Sequence, residues 1–324
     1  MRTYWRKLGL LPLNNYAAKV GLDLGEYVEP AIKQATRDGQ VFAVPYAALP
    51  TPGLFYNADL FDTAGVAYPT DMWSYEAEFL SAAKKLTKDT NGDGVPDQYG
   101  LGPQLNSSRT GSVTAVLAAY GGRILSLDGT KATATDEKTM AGFGFLSRLA
   151  HEDRVMAGSF WQGSAAMDLD GFWAIPGFTA SLKGARTGAA ATPLGPQGRK
   201  VMYVVGYYSV PRTATNPEGA MRWIKHLTSD EVGKAWLAAK LNMTGKMRVN
   251  ASPEVRQDEM TRKWISFYSI EGLVPAIPAN FRVTDVEKVF ADAISTMASN
   301  ALPLRQIAEQ LQQKLTALLA LPLQ

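Results

Sequence analysis

The chain has no cysteine and only two histidines, His151 and His226. Without thiols there is no disulfide, no zinc-thiolate site and no cysteine nucleophile, and little remains for histidine-based acid-base catalysis. A cysteine-free sequence is compatible with an oxidising compartment without demanding one. No apolar run approaches the roughly 20 residues of a membrane span. Net charge is only +3, and no run of Lys and Arg exceeds two residues. The clustered positive charge that nucleic acid or a membrane surface requires is therefore missing. Also missing are the Gly-x-Ser-x-Gly elbow, the Walker loop and His-Glu-x-x-His. The opening "MRTYWRKLGLLPLNNY" mixes charge with apolar residues and has no small-residue cleavage site, so it does not read as a signal peptide.

What is present is the composition of an ordinary globular protein: 324 residues, 46% hydrophobic and 19% charged, enough for one large or two ordinary domains. Short β-type runs alternate with amphipathic helical patterns, which points to an α/β or α+β architecture. "QVFAVPY" (40–46), "AAMDLDG" (165–171) and "VMYVVGYYSV" (201–210) are β-branched and aromatic enough for strands. Asn216-Pro217-Glu218 sets an N-cap, a first-turn proline and an acid before a helix, and Ser252-Pro253-Glu254 repeats the device. Thr284 with Glu287 forms a capping box before another helix. The last helix carries Ile307, Leu311, Leu315, Leu318 and Leu319 on one stripe and should dock.

One loop looks like a motif. In "KDTNGDGVPDQYG" (88–100), Asp89, Asn91, Asp93 and Gly94 fall at the first, third, fifth and sixth positions of an EF-hand loop and Asp97 at the ninth, but Gly100 stands where the bidentate acid belongs. One reading is an Asx-rich turn that caps the preceding helix "FLSAAKKL". The other is a weak structural Ca²⁺ held by Asp89, Asn91, Asp93 and Asp97 with the Val95 carbonyl. For an enzyme, the nearest pair of carboxylates is Asp168 and Asp170, on one face of a predicted strand. Glycoside hydrolysis needs two such acids at a set separation, and no recognisable catalytic context surrounds these.

The order of segments resembles the solute-binding proteins of carbohydrate ABC importers, the maltose-binding-protein-like family. "DGQVFAVPYAALPTPGLFYNADLFDTAGV", "YPTDMWSYEAEFLSAAKKLT" and "GDGVPDQYGL" follow one another as in that family, with Gly39 to Pro45 and Tyr56 to Phe61 as its strand and Tyr-Asn-x-Asp-Leu-Phe motifs. Met72 stands where Thr is usual. Gly171-Phe172-Trp173-Ala174 matches the sugar-facing Gly-x-Trp-Ala motif. "AYGGRILSLDG" (119–129), "FWQGSAAM" (160–167), "SVPRTATNPEGAMRWIKHLTSDE" (209–231) and "EQLQQKLTALL" extend the match through nearly the whole chain.

The resemblance implies a two-lobe, type II periplasmic-binding-protein-like α/β fold that closes on a sugar or polyol. It implies a signal peptide and a βαβαβ unit ahead of a segment like "GLLPLNNY", so the first lobe is expected to be incomplete. Residues 1–48 and 210–250 would form the remainder of lobe one, and 53–207 with 252–324 lobe two. The partners it implies are a small carbohydrate and the membrane permease subunits of an ABC importer. A monomer at the periplasmic or extracellular face is expected, with no nucleic acid, no membrane insertion and no cofactor beyond a possible structural Ca²⁺.

Trp173 is the implied stacking platform; a core tryptophan is the alternative. Tyr207 and Tyr208 fall where the chain returns between lobes, one expected inward and the other in a core. Tyr46 and Thr51 fall in the region that presents polar contacts. Arg248 and Arg109 fall in loops where relatives place cleft residues, and a guanidinium forks two hydroxyls or a phosphate. Asn280 lies near a position where the maltose relative carries an aromatic. Trp73, Trp223, Trp236 and Trp264 read as packing. Two other classes stay open: a glycoside hydrolase and a calcium-stabilised structural or adhesion module.

Overall fold

The computed structural model describes residues 9–267, 273–274 and 282–321. Its strands are β1 Thr36–Arg37, β2 Gln40–Val41, β3 Val44–Thr51, β4 Gly53–Asn57, β5 Tyr99–Leu101, β6 Ala165–Asp170, β7 Thr187–Ala191, β8 Val201–Tyr208 and β9 Leu273–Val274. The chain divides into two compact units: 9–50 with 203–267, and 51–202 with 273–274 and 282–321.

The first unit holds the antiparallel β1–β2 hairpin and most of the long β3, with helices around them. Leu13, Ala17, Val44, Val210, Met221 and Ile224 form one apolar core. The helix Pro217–Leu227 starts as its sequence predicts. Asn216 Oδ1 accepts from Gly219 N at 2.8 Å, and Pro217 sits where no N–H is needed. Ser252 does not repeat the device. Asp258 caps instead, accepting from Thr261 N at 2.7 Å to open the helix Glu259–Ser266. That helix also corrects the expected boundary. Trp264 is fully buried and donates Nε1 to Pro50 O at 3.0 Å, and Asp258 pairs with Lys240 at 2.8 Å, so residues 252–267 belong with the first unit. Residues 203–207 do too.

The second unit centres on a sheet of order β5-β6-β4-β7, with β5 parallel to β6 and β4 antiparallel to both its neighbours. β4 is buried on both faces, which explains its unbroken apolar run. Leu54 enters the main core, while Phe55 turns to Phe178 at 4.7 Å and Phe160 at 6.5 Å between ring centres. Asn57 caps the next helix, Ala58–Ala64, by accepting from Asp59 and Leu60 N. The last helix, Leu304–Ala320, buries Ile307, Leu311 and Leu315 as its stripe requires. Its partner, Val283–Ser299, begins one residue before Thr284 without a side-chain cap, so the expected capping box is not formed. The register Gly53↔Asp170 and Phe55↔Asp168 fixes the face on which β6 presents its two acids.

Candidate functional site

Asp168 and Asp170 stand two residues apart on β6 and so share a face. Asp168 is buried, and Gln104 Nε2 donates to its Oδ1 at 2.6 Å. Arg109 reaches both acids from a turn that Asn106 holds by accepting from Ser108 N at 3.0 Å. Its Nη2 donates to Asp168 Oδ2 at 2.9 Å; its Nη1 donates to Asp170 Oδ2 at 2.5 Å and to Leu169 O at 3.2 Å. Burial works against the guanidinium charge, but Asp168 and Asp170 outweigh it and hold the group above its ordinary pKa. Burial pushes the Asp168 carboxyl up, the Asp170 charge adds to this, and Arg109 pulls the other way.

Past β6 the chain turns at Gly171 into Phe172–Ala174. Phe172 is fully buried, whereas Trp173 is 44% exposed. The indole lies across Gly171: a Cβ there would sit 2.2 Å from Cζ2, so only glycine lets the ring settle in this place. Trp173 and Asp170 line a hollow of about 310 Å³, together with Thr51, Pro52, Ser108, Arg109, Gly111, Ser112, Gly171 and Met202. An exposed aromatic face beside hydroxyls, a carboxylate and a guanidinium suits a ligand with an apolar C–H face and hydroxyl edges.

Three of the expected ligand residues, Trp173, Thr51 and Arg109, thus meet in one unit. Arg109 is placed differently from the reading that gave its fork to a ligand, because both terminal nitrogens are bonded to the two acids. Ser108, Gly111, Ser112 and Met202 were not anticipated. Ser112 Oγ donates to Leu169 O at 2.9 Å, a contact 57 residues away that no local pattern announces. Asp168 and Asp170, the nearest carboxylate pair for a hydrolase, are both engaged by Arg109.

The other candidates lie in the first unit. Tyr46 stacks on Tyr208 with ring centres 4.6 Å apart and meets Trp236 edge-on at 5.6 Å. Gly206 permits this, since a Cβ there would be 2.4 Å from the Tyr46 ring. Tyr207 points to the other side and donates its hydroxyl to Ala31 O at 2.7 Å, an alternation expected of strand neighbours. Arg248 is not a free cation: it pairs with Glu26 at 2.9 Å and with Asp230. Asn280 lies outside the described residues. Among the tryptophans read as packing, Trp73 and Trp264 are buried, but Trp223 is exposed and stacks on His226.

In the 88–100 turn, Asp89 accepts from Gly92 N at 2.6 Å and from Gly94 N at 2.7 Å. Asn91 accepts from Asp93 N, Asp93 from Val95 N, and Asp97 from Thr90 N and Oγ1. These backbone bonds, that from Gly94 first, hold the Asp89 carboxyl below its ordinary range. Among the described residues no three acids, histidines or cysteines converge on a metal position. The geometry is that of the Asx-rich turn.

The chain belongs to the bacterial extracellular solute-binding protein family, whose profile matches residues 1–234. Binding proteins of Brucella abortus and Brucella suis are 26% identical over 240 residues, covering 70% of this chain and 55% of theirs. The chain therefore spans about half the length of the curated relatives it matches. Among solved structures, an ABC substrate-binding protein of Listeria monocytogenes in complex with cycloalternan superimposes with a TM-score of 0.85 at 18% identity, covering 99% of this chain and 83% of the other. UgpB of Mycobacterium tuberculosis, in complex with glycerophosphocholine, gives 0.84 at 18% identity, covering 98% and 81%. A solute-binding protein of Thermotoga lettingae bound with α-D-tagatose gives 0.82 at 20%, covering 98% and 82%. The fold is the α/β fold of ABC substrate-binding proteins, as the sequence implied.

Proposed function

We propose that the protein binds a sugar or related polyol in the hollow beneath Trp173 and delivers it, at the periplasmic or extracellular face, to the permease subunits of an ABC importer. The observation that carries this reading is the exposed indole of Trp173, fixed over Gly171 at the wall of a hollow of about 310 Å³. Burying a pyranose face on that ring offsets the cost of dehydrating hydroxyls, each of which finds a partner among Thr51, Ser108, Ser112 and Asp170. A micromolar ligand needs about −8 kcal/mol. Several hydrogen bonds at about 0.5–1.5 kcal/mol each, with one aromatic platform, reach that scale. Supporting it, solved relatives of the same fold hold cycloalternan and tagatose.

Titration calorimetry of the protein against a panel of mono-, di- and oligosaccharides and polyols tests the reading. Heat from at least one sugar, with affinity weakened in Trp173→Ala, is expected. Release of reducing ends during prolonged incubation would instead favour hydrolysis.

A further inference from the structure

Among the described residues the hollow contains one cation, and that cation is occupied. Arg109 is the only Lys or Arg among the described residues that line it, and its two terminal nitrogens donate to Asp170, Asp168 and Leu169 O at 2.5–3.2 Å. Behind it stands Asp168, buried and bonded to Gln104. Two carboxylates against one guanidinium leave the cluster one negative charge in excess. The start of the helix Thr110–Ala119, which brings Gly111 and Ser112 to the wall, contributes about half a positive charge, so the balance stays negative. A phosphate or carboxylate on a ligand is best held by an unpaired guanidinium fork, and here three of the fork's five N–H groups are spent on Asp168, Asp170 and Leu169 O.

We propose that the Arg109–Asp168–Asp170 cluster makes this hollow select against anions, so that its ligand is an uncharged saccharide or polyol and not a sugar phosphate, a glycerol phosphate or a uronic acid. The assignment of the ligand rests on the sugar-binding reading above; the sign of the local field does not. Asp170 offers acceptor lone pairs to hydroxyls; Ser108 and Ser112, whose own hydrogens go to Asn106 Oδ1 and Leu169 O, add further acceptors, and an acceptor-rich wall suits hydroxyl donors better than an anion. Asp170 is the selective element. Asp168 positions the guanidinium that holds it.

The field is read without any ligand by quenching the fluorescence of Trp173, taken as the difference between the parent and Trp173→Phe. Iodide, caesium and acrylamide serve as anionic, cationic and neutral quenchers, with N-acetyltryptophanamide as reference. Relative to acrylamide, iodide should quench Trp173 about threefold less than it quenches the reference, and caesium more, as expected for a charge within a few ångströms. Asp170→Asn should bring the iodide ratio back to that of the reference. If that variant does not fold, the ratio in the parent still decides. Iodide quenching of Trp173 as strong as that of the reference overturns the proposal.

The second measurement is calorimetry with matched pairs: glucose and glucuronate, glycerol and glycerol 3-phosphate, maltose and its phosphorylated form. Tighter binding of any anionic member overturns the proposal. Weak iodide quenching with no response to any neutral sugar upholds the field and sinks the sugar-binding function instead.

Discussion

Arg109 and Asp168 meet at 2.9 Å inside the second unit, the carboxylate keeping only 3% of its side-chain surface. Removing one partner of such a buried pair leaves an uncompensated charge, which costs about 3–5 kcal/mol. Arg109→Ala should therefore destabilise by that amount in urea unfolding. Asp168→Asn in the same background should recover part of the loss, because an amide is far cheaper to bury than an unpaired carboxylate. A loss below about 1 kcal/mol, the scale of exposed pairs, would show the pair to be solvated.

Trp173→Ala should weaken sugar binding tenfold or more, about 1.4 kcal/mol, with little change in melting temperature, since nearly half the side chain already faces solvent. Equal affinity in calorimetry for parent and variant would remove the indole from the site.

Gly171→Ala tests the same ring by a different route. Its new methyl group must push the indole aside, because the Cβ falls 2.2–2.3 Å from three of its ring atoms. Affinity should fall as in Trp173→Ala, and the Trp173 emission maximum should move. An unchanged emission with unchanged affinity would mean that the ring does not rest on this glycine.

Neither Ca²⁺ nor a chelator should move the melting temperature. Asp89 already holds Gly92 N and Gly94 N, so the turn is closed by its own backbone. Asp89→Ala should lower the melting temperature through loss of both bonds. A clear rise on adding Ca²⁺, abolished in Asp89→Ala, would restore the metal reading.

Alkaline pH should destabilise the protein earlier than its composition suggests. Burial raises the hydroxyl pKa of Tyr27 from 10.0 to about 12, and burial likewise raises Tyr203 and Tyr207. In the window above 10 the unfolded chain has lost these protons while the folded chain keeps them, so the unfolded state binds fewer and stability falls with rising pH. The contribution is complete below pH 10 and is lost as pH climbs toward 12. Melting curves across that range, followed with tyrosinate absorbance, check it; a flat melting temperature would contradict it.

Much of the architecture was legible in the chain. The runs 165–171 and 201–210 gave β6 and β8 within two residues, whereas 40–46, read as one strand, is divided between β2 Gln40–Val41 and β3 Val44–Thr51. Asn216-Pro217 marked a helix start because capping is settled within four residues. The same logic failed at Ser252 and Thr284, where the local pattern was right in type but Asp258 capped one helix and tertiary packing began the other without a cap. The segment 252–267 went to the wrong unit for a related reason. Trp264 finds its partner 214 residues away at Pro50, and no local spacing encodes that meeting. Helical periodicity reads Trp223 as packing, yet it is exposed and stacks on His226.

Local sequence alone settled the alternation of strands and helices and the exclusion of thiol and zinc-thiolate chemistry. These depend on neighbours a few residues apart and on residue types that are present or absent. Only the folded chain decided that Arg109 spends its charge on Asp168 and Asp170, 59 and 61 residues downstream. Whether a guanidinium greets a ligand or neutralises its own protein depends on which acids the sheet register carries to it, and register is a property of strands brought together in space.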